Sequence, residues 1–337
     1  MHESLRRLAS EEVMVERGDM RRVRVELLDG DHVSVDVHRR ANGGDLLDKV
    51  CDNLDIVEKD FFGLLHLQRG DPRVWLDLNR RLSKTFRNEP WDVRLAVKFY
   101  PPEPSEVKDD NTRYQLSLAV RRDLLEGRLQ CSNITHALLA SYVLQAELGD
   151  REGPTSLSSI RAVPLHAINE EFEAQVDELY AKHKGQTPAE AELNYLDNAK
   201  KLSLYGSELH CVRDSEEVDL VLAVNSHGIS IYRDGVLMNR IPWAKISKIS
   251  YNKREFRLRL RPSECDEFET HVSFKLSSTR ACKKLWRCSV EHHMFFRRWE
   301  PVPVEVIPGL RRLGLRRLSC RRTLRQIRDS NECAPVA

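Results

Sequence analysis

Hydrophobic periodicity changes twice along this 337-residue chain, and those changes mark where its folding units begin and end. From Arg22 the residues alternate: Val23, Val25 and Leu27 against Arg24 and Glu26, then Val33, Val35 and Val37 against Ser34 and Asp36, with Leu28-Asp29-Gly30-Asp31 between. A period of two on both sides of a Gly-containing turn predicts a β-hairpin. Leu46, Leu47, Val50 and Leu54 follow at helical spacing, and Val93, Leu95, Val97 and Phe99 alternate as a closing strand. Pro101, Pro102 and Pro104 then break regular structure, and to about residue 205 the apolar residues recur with a helical period. Tyr114, Leu118 and Leu125 are expected along one helix; Leu138, Leu139, Tyr142, Val143 and Ala146 along a second; Phe172, Val176, Leu179 and Tyr180 along a third. A fourth opens with Thr187 as N-cap, Pro188 where its missing N–H costs nothing and Glu190 completing a capping box, and Gly206 is expected to close it.

Short strands return from Val218: 218–224, 228–232, a turn at Arg233-Asp234-Gly235, then 246–251, 256–260 and 271–276. A helix over 281–297 follows. At about 100° per residue it carries Ala281, Leu285, Cys288, His292 and Phe296, extended by Trp299, on one side, and Lys283, Lys284, Arg287, Glu291, Arg297 and Arg298 around the other. Strands ending in one amphipathic helix suit a sandwich whose open end the helix plugs, the plan of pleckstrin-homology (PH) and phosphotyrosine-binding folds. Hairpin, helix and further strands at the start suit a ubiquitin-like β-grasp. The fold class is therefore α+β in three lobes: β-grasp, four-helix and PH-like.

The net charge of +2 excludes little, but its distribution matters: eight arginines and no acidic residue lie between Leu310 and Arg328. Residues 1–19 and 299–337 are expected to lack order of their own. The eight cysteines form no C-x-x-C pair, and the first residues hold no apolar signal core. Free thiols in a reducing cytosol are the expectation. No stretch approaches the ~18 consecutive apolar residues that span a bilayer, so any membrane contact is expected to be peripheral.

A phosphatase loop needs Arg six residues after a nucleophilic Cys; after Cys211 that position is Glu217, whose charge repels phosphate. No phosphate-cradling G-x-x-x-x-G-K-[ST] loop or nucleophile elbow is present. Adjacent His292 and His293 point about 100° apart, against the i, i+4 spacing of a shared metal, so His292 is expected to be a hydrogen-bonded core histidine. Asn133-Ile134-Thr135 spells a glycosylation sequon and is read as a helix start. Neither an enzyme, a metal site nor a cofactor is expected.

Several blocks together resemble a known family. Lys283-Lys284-Leu285-Trp286 with Val290-Glu291-His292-His293-Met294-Phe295-Phe296-Arg297 is similar to the helix closing the FERM domain of band 4.1 proteins. The likeness continues upstream through Trp91-Asp92-Val93, Val97–Pro102, Leu144–Asp150, Gly185–Glu192 and Ala199–Gly206, covering roughly residues 20–298. It implies a ubiquitin-like lobe at 20–100, a four-helix, acyl-CoA-binding-protein-like lobe at 101–205 and a PH-like lobe at 206–298. It also implies a non-catalytic adaptor at the inner face of the plasma membrane, the cytoskeleton and cell junctions. The implied partners are cytoplasmic tails of transmembrane proteins, phosphatidylinositol bisphosphate, calmodulin and membrane-associated guanylate kinase scaffolds, with an indirect link to spectrin–actin.

The resemblance also suggests sites. Lys283 and Lys284 are expected to meet the phosphoinositide head group, clustered cations gaining about 1 kcal/mol each near an anionic leaflet. Lys200, Lys201, Leu202, Ser203, Leu204 and Tyr205, with Trp286, are similar to calmodulin-binding blocks. A tail-binding groove is expected between Ile246, Ser247, Lys248, Ile249, Ser250 and Tyr251 and the closing helix. Arg316-Arg317-Leu318-Ser319 fits a basophilic kinase pattern, and phosphate on Ser319 is expected to weaken the arginine cluster's attraction to lipid. Two departures are visible: a short connection at Arg151–Thr155, and Val57-Glu58-Lys59-Asp60-Phe61 where the family carries an acidic block linked with anion-exchanger binding. Neither partner surface is carried over. The alternatives are the regulatory FERM region of a larger signalling protein, such as a tyrosine phosphatase, and, from the arginines, a nucleic-acid binder, which the absence of interleaved aromatics disfavours.

Overall fold

The computed structural model describes residues 19–68, 71–87, 89–153, 163, 168–262 and 270–296. They form two compact units, one running to Lys98 and over Glu103–Leu202, the other holding Phe99–Pro102 and continuing from Ser203.

The first unit opens with β1 (Met20–Glu26), β2 (His32–His38), α1 (Gly43–Asn53), β3 (Phe62–Gln68), β4 (Asp71–Trp75), the short α2 (Leu82–Thr85) and β5 (Asp92–Val97). The sheet order is β2-β1-β5-β3-β4, with β1 and β5 parallel. Pairing of Val23 with Val35 and Val25 with Val33 sets the hairpin register. That register buries Val23, Val25, Val35 and Val37 together with Leu46, Leu47 and Val50 of α1. This is the expected β-grasp.

Four helices complete the unit: α3 (Asp110–Leu125), α4 (Asn133–Leu148), α5 (Glu170–Ala181) and α6 (Pro188–Ala199). Each is capped by a side chain: Asp109 accepts from Thr112 N, Ser132 from Thr135 N, Asn169 from Phe172 N, and Thr187 forms the expected capping box with Glu190. Tyr114, Leu118 and Leu125 lie along α3 as expected, and one expectation, the end of α6, needs correction. Along α3 the buried stripe is Leu116, Val120 and Leu124, while Leu125 is 37% exposed. Two apolar stripes exist on that helix, and the neighbours it packs against select between them. Gly206 does not close α6, which ends at Ala199 with Lys200 as C-cap. It lies in the second unit at φ +60°, where a Cβ would come 2.5 Å from Tyr100 Cβ.

Two sequence blocks serve as clasps here. Gln145, fully buried, donates to Asp150 Oδ1 (3.0 Å) and to Gln186 O (2.9 Å), while Asp150 accepts from Gly185 N and Gly149 O from the Tyr180 hydroxyl. The Leu144–Asp150 and Gly185–Glu192 blocks are thus one hydrogen-bonded assembly. The divergent 57–61 block is also anchored: Glu58 Oε2 accepts from Lys108 N and Asp109 N at the start of α3, and Phe61 is buried. Burial holds the Glu58 carboxyl above the usual carboxylate range.

The second unit contains β6 (Glu208–Arg213), β7 (Asp219–Val224), β8 (Gly228–Arg233), β9 (Val236–Pro242), β10 (Ile246–Asn252), β11 (Glu255–Leu260), β12 (Thr270–Lys275) and α7 (Thr279–Phe296). The sheet order is β10-β11-β12-β6-β7-β8-β9. β12 and β6 join through one described pair, Lys275 with Arg213, so the sheet divides into two layers in the manner of a sandwich. β6 and β9 have no counterpart in the periodicity reading. In β6 the apolar Leu209 is exposed and the polar His210 buried, while β9 is exposed over its first five residues. Leu285, Cys288, His292 and Phe296 of α7 are buried as expected. Glu291, expected outside, is also buried, and its carboxylate is met by Arg287 one turn earlier with Nε at 3.1 Å. Phe99 stacks on Phe295 with ring centres 4.3 Å apart, so the Phe-Tyr-Pro-Pro segment belongs to this core.

Candidate functional site: an edge strand beside the closing helix

β10 ends the sheet, with β11 as its sheet neighbour. Its pairing shifts between Ile246 and Lys248, making Ser247 a bulge residue, and the Ser247 hydroxyl donates to Arg259 O at 3.0 Å. Ile246 is 2% exposed and faces the core; Ser247 and Lys248 are exposed; Ile249, Ser250 and Tyr251 are half-buried. A bulge and a lysine are devices that blunt a sheet edge against indiscriminate pairing.

α7 packs along this strand. Trp286 Nε1 donates to Ile249 O at 3.3 Å, and its ring meets Tyr251 with centres 5.3 Å apart. At helical spacing Lys283, Arg287 and Val290 lie within about 100° of Trp286 and of one another, so they form the wall that rises beside β10. Sequence reading had not singled out Arg287 and Val290 as wall residues, although their spacing from Trp286 carries the signal. Lys283 is exposed, whereas Lys284 is half-buried and turned about 160° from Trp286 around the helix. The two lysines do not point to one place. The candidate groove is therefore a strand edge with one aromatic wall and Lys283 and Arg287 on the helix side, while Lys248, which alternates with the inward Ile249 and Tyr251, lies on the outer face of β10.

The other predicted residues are dispersed. Lys200 donates to Glu103 at 2.7 Å, and this bond holds its ammonium above the ordinary lysine range. Lys201 and Ser203 are exposed and Leu202 and Leu204 half-buried, in turns that follow α6. Tyr205 is buried, its hydroxyl donating to Pro101 O at 3.3 Å and its ring edge-on to Tyr100. The block is not a presented amphipathic helix. His292 is buried with Nδ1 3.0 Å from Cys288 O, as a core histidine. Ser319, the arginine tail, Trp299, Arg297 and Arg298 lie outside the described residues.

A grasp-fold lobe, a helical lobe and a PH-like lobe with a strand–helix groove define a FERM module. Family models agree in chain order: FERM N-terminal domain over residues 25–88, FERM central domain over 102–210 and FERM C-terminal PH-like domain over 214–303. The chain belongs to the band 4.1 family of FERM proteins. It is 50% identical over 286 residues to the protein 4.1 homolog of Drosophila melanogaster, covering 83% of this chain and 17% of that one. With human band 4.1-like protein 2 it shares 46% over 282 residues, 82% of this chain and 28% of the relative. Bovine protein 4.1 is 43% identical, with 81% and 45% covered. The chain thus spans less than half the length of these relatives. Among solved structures, the FERM and C-terminal domain complex of Drosophila Merlin aligns with a TM-score of 0.74 at 23% identity, over 82% of this chain and 96% of that one, which establishes the fold. No helix among the described residues is long and apolar enough to cross a membrane.

Proposed function

We propose that this chain is a non-catalytic adaptor that receives the cytoplasmic tail of a transmembrane protein in the β10–α7 groove and rests on anionic phosphoinositide lipid through Lys283 and Lys284. The observation that carries this reading is the pairing of a terminal strand with an aromatic and cationic helix wall. A tail extended along β10 gains main-chain hydrogen bonds from the edge and side-chain contacts from Trp286 and Val290. The cations favour a tail with acidic residues and a membrane with anionic head groups. Such a protein works at the inner face of the plasma membrane, in contact with the cytoskeleton at cell junctions. Membrane-associated guanylate kinase scaffolds are partners in this scheme, and spectrin–actin is linked indirectly. Calmodulin engagement through Lys200–Tyr205 and Trp286 requires Tyr205 and Trp286 to leave their present contacts.

The test is a titration of a labelled, acidic membrane-proximal tail with the wild-type chain and with Lys248→Glu and Ser250→Glu variants. Undiminished affinity in both variants sinks the groove. In parallel, Lys283→Glu/Lys284→Glu is expected to lower binding to vesicles containing phosphatidylinositol bisphosphate; equal binding removes the lipid half. A second reading, the regulatory FERM region of a larger signalling protein, is favoured by the greater length of the relatives. Enzymatic activity in a longer product of the same gene would select it.

A further inference from the structure

Three side chains with metal-ligating chemistry meet inside the PH-like unit. Side chains two apart on a strand share a face, so Glu208 and His210 of β6 point to the same side. That side is the interior: His210 is 8% exposed and the Glu208 side chain 10%. Cys288, 4% exposed, reaches the same place from α7, one helical turn before His292. The ligand atoms of Glu208, His210 and Cys288 all lie within 4.8 Å of one another. His210 Nε2 stands 3.7 Å from a Glu208 carboxylate oxygen. That is longer than a hydrogen bond and close to the separation of two ligands on one ion.

The spacing can be judged against coordination geometry. With metal–sulfur bonds of about 2.3 Å and metal–nitrogen or –oxygen bonds of about 2.0–2.2 Å, tetrahedral ligands stand roughly 3.3–3.7 Å apart. Closing the present cluster onto an ion requires movements of about 1 Å or less, within the reach of side-chain rotation. A thiolate, an imidazole and a carboxylate together suit a borderline ion such as zinc, and exclude magnesium and calcium, which take oxygen shells. The neighbouring His292 is held in place: its Nδ1 lies 3.0 Å from Cys288 O and 3.5 Å from its Sγ, with the imidazole edge-on against Phe99. The competing reading is a buried histidine–carboxylate pair with the thiol as a bystander.

We propose that Glu208, His210 and Cys288 form a binding site for a zinc-class divalent ion, with water completing the shell on the Glu208 side. On binding, the Cys288 thiol loses its proton to solvent, the thiolate sulfur donates to the ion, and no electron transfer is needed. The ion ties β6 to α7. The proposal is independent of the tail-binding reading.

The test uses the full chain, reduced and stripped of metal. After exposure to zinc chloride and exhaustive dialysis, the wild type and the Cys211→Ser control, whose thiol is exposed on the opposite face of β6, are expected to retain one equivalent. Cobalt substitution is expected to give a sulfur-to-metal charge-transfer band that Cys288→Ser abolishes, and His210→Gln is expected to weaken zinc affinity by about ten-fold or more. Zinc retained equally by wild type and Cys288→Ser, a charge-transfer band surviving in that variant, or no zinc retained by the wild type overturns the site. X-ray absorption of the zinc-loaded wild type reads the shell without any variant, so an unfolded variant leaves the question decidable. One sulfur among nitrogen and oxygen neighbours supports the site; no sulfur, or two or more, refutes it.

Discussion

The two ends of the seven-stranded sheet are built differently. β10 is bulged at Ser247, carries Lys248 and has one carbonyl taken by Trp286. β9, at the other end, leaves Val236 63%, Leu237 42% and Met238 59% exposed. A free edge invites pairing in proportion to how flat and apolar it is, so by composition β9 is the less guarded of the two. Selectivity needs more than an open edge. In the proposed function the helix wall at β10 supplies an aromatic ring and charge, so that an incoming segment would be read by its side chains as well as by its main chain. The edge that hinders casual pairing is the one we propose as the tail site.

Five substitutions would break or sharpen this contrast. The largest effect is expected from Gly228→Ala, because a Cβ at φ +153° would lie 2.1 Å from Ile241 O and force β8 from β9; a loss of about 4 kcal/mol or more in urea unfolding is the expectation. A loss below about 1 kcal/mol would mean that the β9 pairing contributes little to the lobe. Leu285→Ala, at a fully buried position on α7, is expected to cost about 3 kcal/mol by the same measurement. It should also weaken tail binding, since the wall loses its seat. Trp286→Ala is expected to destabilise by only about 1–2 kcal/mol while weakening the acidic tail about ten-fold in a fluorescence titration. Unchanged affinity there would remove the aromatic wall from recognition. The smallest effect on stability, within about 0.5 kcal/mol, is expected from Met238→Lys. If β9 is the stickier edge, that change lowers concentration-dependent association in analytical ultracentrifugation, whereas Lys248→Met at the opposite edge raises it.

Part of this was legible in the residues. Alternation of Val23, Val25, Val33, Val35 and Val37 dictated the hairpin, and the Thr187-Pro188-Glu190 signal dictated the start of α6, because both depend on neighbours close in sequence. The amphipathic stripe of α7 was readable for the same reason, apart from Glu291, whose burial depends on how the helix packs into the lobe. β6 escaped because a histidine occupies a core position and a leucine a solvent-facing one, an inversion that only the packed neighbours explain. The lysine pair was legible as charge. Its division, Lys283 beside the groove and Lys284 turned away, follows from where the helix meets the sheet.

The sequence by itself determined the order and class of the three lobes and the family, since period, caps and turn residues act locally and their joint order is specific. Only the tertiary structure decided which strand ends the sheet, which of two apolar stripes on α3 is buried, and that Glu208, His210 and Cys288 meet. These outcomes rest on contacts between segments as many as 80 residues apart (208 to 288), and local periodicity carries no information about which distant surfaces will face one another.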